Sequence, residues 1–314
     1  MASGQERVLR RRIRSVQSTK KITRAMELIA ATRVVKAQQR AAAARPYAEQ
    51  ITAVIQHLGE AGAGRDYALL RRAEDVRKVG LVVITSDRGL AGAYNASVLR
   101  AAERQLDGIR SEGADYSLVL VGKKAAGFFS FRGYRIDAGF TGMTDTPTYA
   151  DARRVAAVVR DAFEEGDVDQ VDLVYTRFLS AGSQKVVTRR FMPLQVEGDS
   201  GLTADYEYEP SPEGILERLL PRYVEARIFA ALLDASASEH AARQRAMKAA
   251  TDNAEELIRN LSIEANKQRQ ASITTEIMEI VGGAEALRQA SSRSGPEGPE
   301  PRPDSRLETA GARS

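Results

Sequence analysis

From Arg222 to Val281 the chain runs sixty residues without a glycine or a proline. Both residues interrupt helices, so a stretch this long without either, rich in alanine, arginine and glutamine, specifies one continuous helix. At 1.5 Å per residue it would run ~90 Å. Helices in compact domains average about a dozen residues, so this one has to leave any single globular core. Met247, Ala250, Ala254, Leu257 and Leu261 recur at spacings of three and four, and Ile273, Ile277, Ile280, Ala284 and Leu287 resume the pattern. Such a repeat signals a coiled coil. The amino-terminal end mirrors it, since no glycine or proline lies between Gly4 and Pro46. Ile22, Met26 and Ile29 form one stripe there, and Ala30, Val34, Ala37, Ala41 and Ala44 a neighbouring one. The two segments are each other's natural partners, and the pairing is antiparallel because the chain returns to its own start.

Between them the period changes. "VGLVVITSD" (79–87), "YSLVLVG" (116–122), "QVDLVYTRF" (170–178) and "QKVVTRRFMPL" (184–194) read as strands, with helices expected at 96–109, 123–131 and 149–164. Apolar strands alternating with helices describe an α/β unit with a mainly parallel sheet. The last two strands, joined by "LSAGSQ", read as an antiparallel hairpin at its edge. The fold class is therefore α/β plus coiled coil: a long antiparallel two-helix coiled coil around a central Rossmann-like domain. Expected boundaries are 1–60 for the first helix, 61–208 for the central domain, 209–290 for the second helix, and 291–314 for a tail. That tail, rich in proline, glycine and charge, is expected to be disordered.

The 314 residues are 43% hydrophobic and 28% charged, enough for a real core, but only 6% aromatic with no Trp, so the core is aliphatic. The absence of cysteine excludes disulfides, thiolate metal sites and thiol redox control. His57 and His240, the only histidines, are far apart and read as solvent-facing helix residues, which leaves no metal site. No apolar run approaches the ~20 residues of a membrane span. The chain is expected to be soluble and intracellular, docking at a membrane only through partners. Charge is uneven. Residues 1–45 carry twelve Lys or Arg against Glu6 and Glu27, a balance that seeks phosphate, an anionic membrane or an acidic protein.

"TSDRGLAGAYN" (85–95) closes a strand and opens a helix, where a glycine-rich loop can hold phosphate. Its glycines fall only at 89 and 92, short of a dinucleotide fingerprint. "VLVGKKA" imitates a phosphate loop at Gly122-Lys123 but lacks the following hydroxyl and the earlier glycine. Both read better as tight strand-to-helix turns. No G-x-S-x-G, H-E-x-x-H or supported acid pair occurs. No catalytic residues and no cofactor are expected, and a mechanical or scaffolding role outranks an enzyme.

"RRIRSVQSTKKITRAMELIAATRVVKAQ", "TSDRGLAGAYN", "DYEYEP" and "AMKAATDNAEELI…NKQRQASITTEIMEIVGGAEAL" together resemble the gamma subunits of rotary, F-type ATP synthases, collinearly from about Arg10 to Leu287. The pattern is bacterial, without the cysteine-bearing regulatory insert of chloroplast forms. The resemblance implies a central rotor stalk with no catalytic site, turned by the proton-driven c-ring inside three alpha and three beta subunits. It also implies contact with epsilon and a location at the cytoplasmic side of the cell membrane, reached only through the c-ring. Carried over residue by residue, Met26, Arg243, Arg269, Gln270, Thr274 and Glu276 match positions that face beta. Tyr206, Tyr208 and Glu209 match the foot on the c-ring. The polar run "NKQRQASITTEI" (266–277) then suits a bearing, because hydrogen bonds exchange between equivalent partners at little net cost while deep apolar knobs do not. The basic amino terminus fits an acidic lever on beta, and nucleic acid is not expected, since neither interleaved aromatics nor a known module accompanies the charge. Two rival readings are a coiled-coil scaffold or nucleic-acid adaptor, and a Rossmann-type enzyme. The 27 residues from Arg288 onward extend past the point where such subunits commonly stop, and the tail is expected to emerge into solvent.

Overall fold

In the computed structural model, which describes residues 2–60, 67–194 and 211–293, the glycine- and proline-poor segments do form the two long helices. The first, α1, spans Ala2–Glu60 and continues through Pro46. The last, α5, spans Pro212–Arg293 and continues through Pro221. Packing therefore overrides local breaking signals at both prolines. The chain divides into two units: one joins Met1–Gln17 to the chain from Glu256 onward, and the other is Ser18–Glu255.

Within Ser18–Glu255 lies the central domain, with β1 (Lys78–Ile84), α2 (Tyr94–Ser111), β2 (Asp115–Val121), α3 (Lys123–Phe131), β3 (Ala138–Phe140), α4 (Tyr149–Glu164), β4 (Gln170–Phe178) and β5 (Gln184–Met192). The sheet order is β3-β2-β1-β4-β5. The first four strands are parallel, and β5 returns antiparallel on β4 as the expected edge hairpin. The three-residue β3 escapes sequence reading because it is too short to show alternation. Two cores flank the sheet. On one face Leu81, Val83, Leu118 and Leu120 pack with Val98, Leu106 and Phe129 from α2 and α3. On the other, Val82, Ile84, Val119 and Leu173 pack with Phe163 of α4, Ile55 and Leu58 of α1, and Leu220 and Ile228 of α5. A capping box starts α4, with Thr148 accepting from the Asp151 N–H and Asp151 answering the Thr148 N–H.

The helix seam in this unit is antiparallel: Lys20 pairs with Glu255 at 3.2 Å, and the Thr251 hydroxyl meets that of Thr23 at 2.8 Å. Along α1 the buried and half-buried positions run Thr23, Glu27, Ala30, Val34, Ala37, Ala41, Ala44 and Ala48, then through Ile51 and Ile55 to Leu58, with spacings of four and three throughout. The small-residue stripe expected from sequence is thus the seam. The neighbouring stripe is not, because Ile22 and Ile29 are 61% and 53% exposed and only Met26 is half-buried. Polar Thr23 and Glu27 hold the seam instead, with Glu27 gripped by Arg24 at 2.9 and 3.0 Å. On α5 the seam runs through Met247, Thr251 and Ala254, leaving Ala250 half-buried beside it.

In the other unit Leu9, Ile13 and Val16 are half-buried, and Leu261 and Ala265 are buried on the same repeat. Leu257 lies off that line and is exposed. Past Ser272 the pattern ends, and every residue from 273 to 289 is exposed.

Candidate functional site

Doubly wound sheets bind ligands outside the carboxyl ends of their strands, where the strand order reverses. Here that place is the crevice between β1 and β4, since the chain steps from β1 out to β2 and β3 and then returns to the other side of β1. The two glycine-bearing motifs lie beside it. In the second of them the first backbone donors of the helix are already used. At the start of α3 the Lys123 N–H donates to the Asp87 carboxylate at 3.1 Å, Lys124 to the Ser86 carbonyl at 3.1 Å, and Ala125 to the Thr85 hydroxyl at 2.9 Å. A side chain at Gly122, which has φ +98°, would place Cβ 2.5 Å from the Thr85 carbonyl oxygen. Glycine is required there for close approach of two turns, and no donor among these three is left for a phosphate.

The crevice itself is filled by α5. The Ser238 hydroxyl donates to the Thr176 carbonyl at the end of β4, and the Tyr94 hydroxyl donates to Ala235 O, both at 3.2 Å. Arg243, 8% exposed, donates through Nη2 to Gly89 O at 3.2 Å and forms a salt bridge with Glu239 one turn earlier. Asp145, in the loop before α4, ties three elements together. Arg33 of α1 grips its carboxylate, with Nη1 2.6 Å from Oδ1. Its carbonyl accepts from the Ser236 hydroxyl and from His240 Nε2, each at 3.1 Å. His240 is 1% exposed, so the expectation of a solvent-facing residue is corrected. Its partner, a backbone carbonyl 95 residues away, leaves no local trace in sequence. His57 is half-buried on α1.

Electrostatics follow burial. Burial pushes His240 below its ordinary pKa, so the ring is neutral and Nδ1 faces Arg243 Nη1 at 3.4 Å. Burial likewise pushes the Glu239 carboxyl up to about 7 against the pull of Arg243, and its Oε2 has no hydrogen-bond partner. Tyr94 is driven well above its usual range by burial and then by Glu239. Burial works the same way on Asp87, but the N–H groups of Gly142, Thr144 and Lys123 outweigh it and hold that carboxylate below its usual range. The assembly is a clamp that joins a sheet edge, a loop and two helices.

Of the residues singled out by sequence, Met26 is half-buried on α1 and Arg243 belongs to this clamp. Arg269, Gln270, Thr274 and Glu276 are exposed on α5, with the Thr274 hydroxyl bonded back to Gln270 O at 2.9 Å. Tyr206, Tyr208 and Glu209 lie outside the described residues, as does the tail from 294 onward. Asp145, Arg33, Glu239 and His240 were not anticipated.

An α/β domain whose ligand crevice is occupied by one of a pair of long terminal helices defines a stalk-bearing subunit. A family model described as ATP synthase matches residues 5–287. The ATP synthase gamma chain of Frankia casuarinae is 51% identical over 294 residues, covering 91% of this chain and 98% of that one. That of Mycolicibacterium smegmatis is 48% identical over 299 residues, covering 90% and 97%. Among solved structures, a chain of the Tetrahymena thermophila mitochondrial ATP synthase central stalk and c-ring superposes with a TM-score of 0.57 at 25% identity, covering 73% of this chain and 99% of that chain. A chain of the Euglena gracilis mitochondrial ATP synthase shares the fold with a TM-score of 0.64 at 19% identity, covering 95% and 99%. The chain belongs to the ATP synthase gamma-chain family and is a central-stalk subunit of that complex.

Proposed function

We propose that the chain is the rotating shaft that couples proton-driven turning of the c-ring to ATP synthesis or hydrolysis at the alpha/beta hexamer, with no catalytic site of its own. The observation that carries this reading is the end of α5. Ile273, Ile277, Met278, Ile280, Val281 and Leu287 are all exposed, without a covering element among the described residues. Beside them stand the polar Arg269, Gln270, Thr274 and Glu276. A helix that carries both needs a sleeve which buries apolar surface at the tip and exchanges hydrogen bonds lower down. Met26 faces the acidic lever of beta with a neutral side chain that does not pin rotation. Arg243 reaches the same contact through the Gly89 loop that it holds. Tyr206, Tyr208 and Glu209 rest on the c-ring, the central domain meets epsilon, and the membrane is reached only through the ring, from the cytoplasmic side. Among the described residues no helix is long and apolar enough to cross a membrane.

Reconstitution tests this. The purified chain alone is expected to show no ATPase, and with alpha and beta subunits it is expected to form a stoichiometric, active complex. Replacing Arg269 and Gln270 together by Ala is expected to slow that ATPase, because truncation strands partner groups at roughly 1–3 kcal/mol each. Turnover by the chain alone, or capture of nucleic acid in place of alpha and beta, would defeat the reading.

A further inference from the structure

A groove of about 470 Å³ lies on the opposite side of β4 from the clamp residues of α2, between α1, the β4–β5 hairpin and α5. Four elements line it with arginines: Arg45 from α1, Arg177 from β4, Arg189 from β5 and Arg227 from α5, with Arg190 of β5 at its border, where its charge also acts on Asp172. Among the described residues none of the five forms a salt bridge, and Arg227 is bonded only to the Tyr223 hydroxyl, over whose ring it stacks at 5.3 Å. The acids in the lining are Glu49 and Asp234 alone. Asp234 is half-buried; its carboxyl accepts the Phe178 N–H, and burial raises its pKa to about 6 in spite of Arg177, Arg45 and Arg189. Like charges gathered this way repel unless an anion joins them. The floor is apolar, with Leu173, Tyr175 and Phe191.

We propose that this groove binds a small polyphosphate-bearing anion, its phosphates held by the arginine forks and any nucleoside lying on the apolar floor. Planar guanidinium groups match phosphate oxygens two at a time. The volume is that of a small-molecule site, of order 300–1,000 Å³. Asp234 opposes the ligand from inside the groove and limits its affinity. The site is separate from the rotor contacts, so its failure leaves the shaft reading untouched.

Titration calorimetry on the purified full chain at low salt tests the site with tripolyphosphate, ATP, adenosine and inorganic phosphate as probes. Tripolyphosphate and ATP are expected to saturate one site, and inorganic phosphate and adenosine to bind at least about tenfold more weakly. ATP binding more tightly than tripolyphosphate assigns the floor to a nucleoside; equal binding assigns the site to the phosphate chain. R189A/R190A is expected to weaken tripolyphosphate by about tenfold or more. D234N is expected to tighten it, and R104A, an exposed arginine on α2, to leave it unchanged. Should R189A/R190A melt at a lower temperature than wild type, R45A on the exposed side of α1 carries the same test with a smaller loss. Absence of saturable tripolyphosphate binding, equal loss in R104A, or capture of an acidic partner protein on these arginines without any polyphosphate binding overturns the proposal.

Discussion

Glu239 is a buried carboxyl with one oxygen on Arg243 and the other without a partner. Its proton is held to about pH 7 in the folded chain, whereas the unfolded group releases it near 4.5. The native state therefore binds more protons across that window, and stability falls as pH rises from 4.5 through about 7, by at most about 3 kcal/mol. Below 4.5 and above about 7 this contribution is flat. E239Q has nothing to ionise there. Wild-type melting temperature is thus expected to decline relative to E239Q between about pH 5 and 7.5, on top of a constant offset from the altered contact with Arg243. Parallel curves for the two proteins would remove Glu239 as the titrating group. Of this clamp only Arg243 was singled out in the sequence, and through resemblance alone; its partners left no local trace. Gly89 and Arg243 are 154 positions apart, and Asp145 and Arg33 are 112. A polar residue on a helix reads as solvated until the fold brings its partner.

At the scale of elements, local pattern and structure agree wherever apolar residues set the period. The four long strands, the edge hairpin and the central helices follow the sequence within a few residues; in β1, β2 and β4 burial on both faces makes nearly continuous apolar runs. The helix seam was half a step out at its polar end. Ile22 and Ile29 drew the eye, yet their neighbours Thr23 and Glu27 face inward, and a hydrophobicity count has no way to choose a threonine over an isoleucine. The seam can instead be tested by removing its polarity. The Thr23 and Thr251 hydroxyls lie 2.8 Å apart, and each is also within reach of a carbonyl of its own helix, Lys20 O and Met247 O, so one of the two donates across the seam and the other to its own helix. T23V or T251V alone leaves the other hydroxyl without its cross-helix partner and is expected to cost about 1 kcal/mol. The double variant, apolar on both sides, is expected to recover most of that loss, giving a coupling energy of at least about 0.5 kcal/mol. Additive losses in chemical denaturation would show that the two hydroxyls do not depend on each other.

For the whole molecule, the decisive feature is where self-sufficiency stops. Residues up to Ser272 bury a stripe on α5, while 273–289 bury none and expose six large apolar side chains. A lone helical end of this length is marginal in water, since propagation has to offset a costly nucleus without packing. On the proposed reading, another protein completes its order. Fully covering a side chain such as Ile277 or Leu287 is worth ~1.5–3 kcal/mol, so even partial enclosure of the six outweighs the cost of holding the helix. Local opening of 273–289 is therefore expected to cost little in the isolated chain and much in the assembled complex. Amide hydrogen exchange measures that cost directly. In the dilute, monomeric chain these amides are expected to exchange far faster than those of β1 and β4, and assembly with alpha and beta subunits is expected to slow them by about a hundredfold or more, the equivalent of roughly 3 kcal/mol. Equal protection before and after assembly would mean that the end of α5 needs no sleeve, and the shaft reading would lose the observation on which it stands.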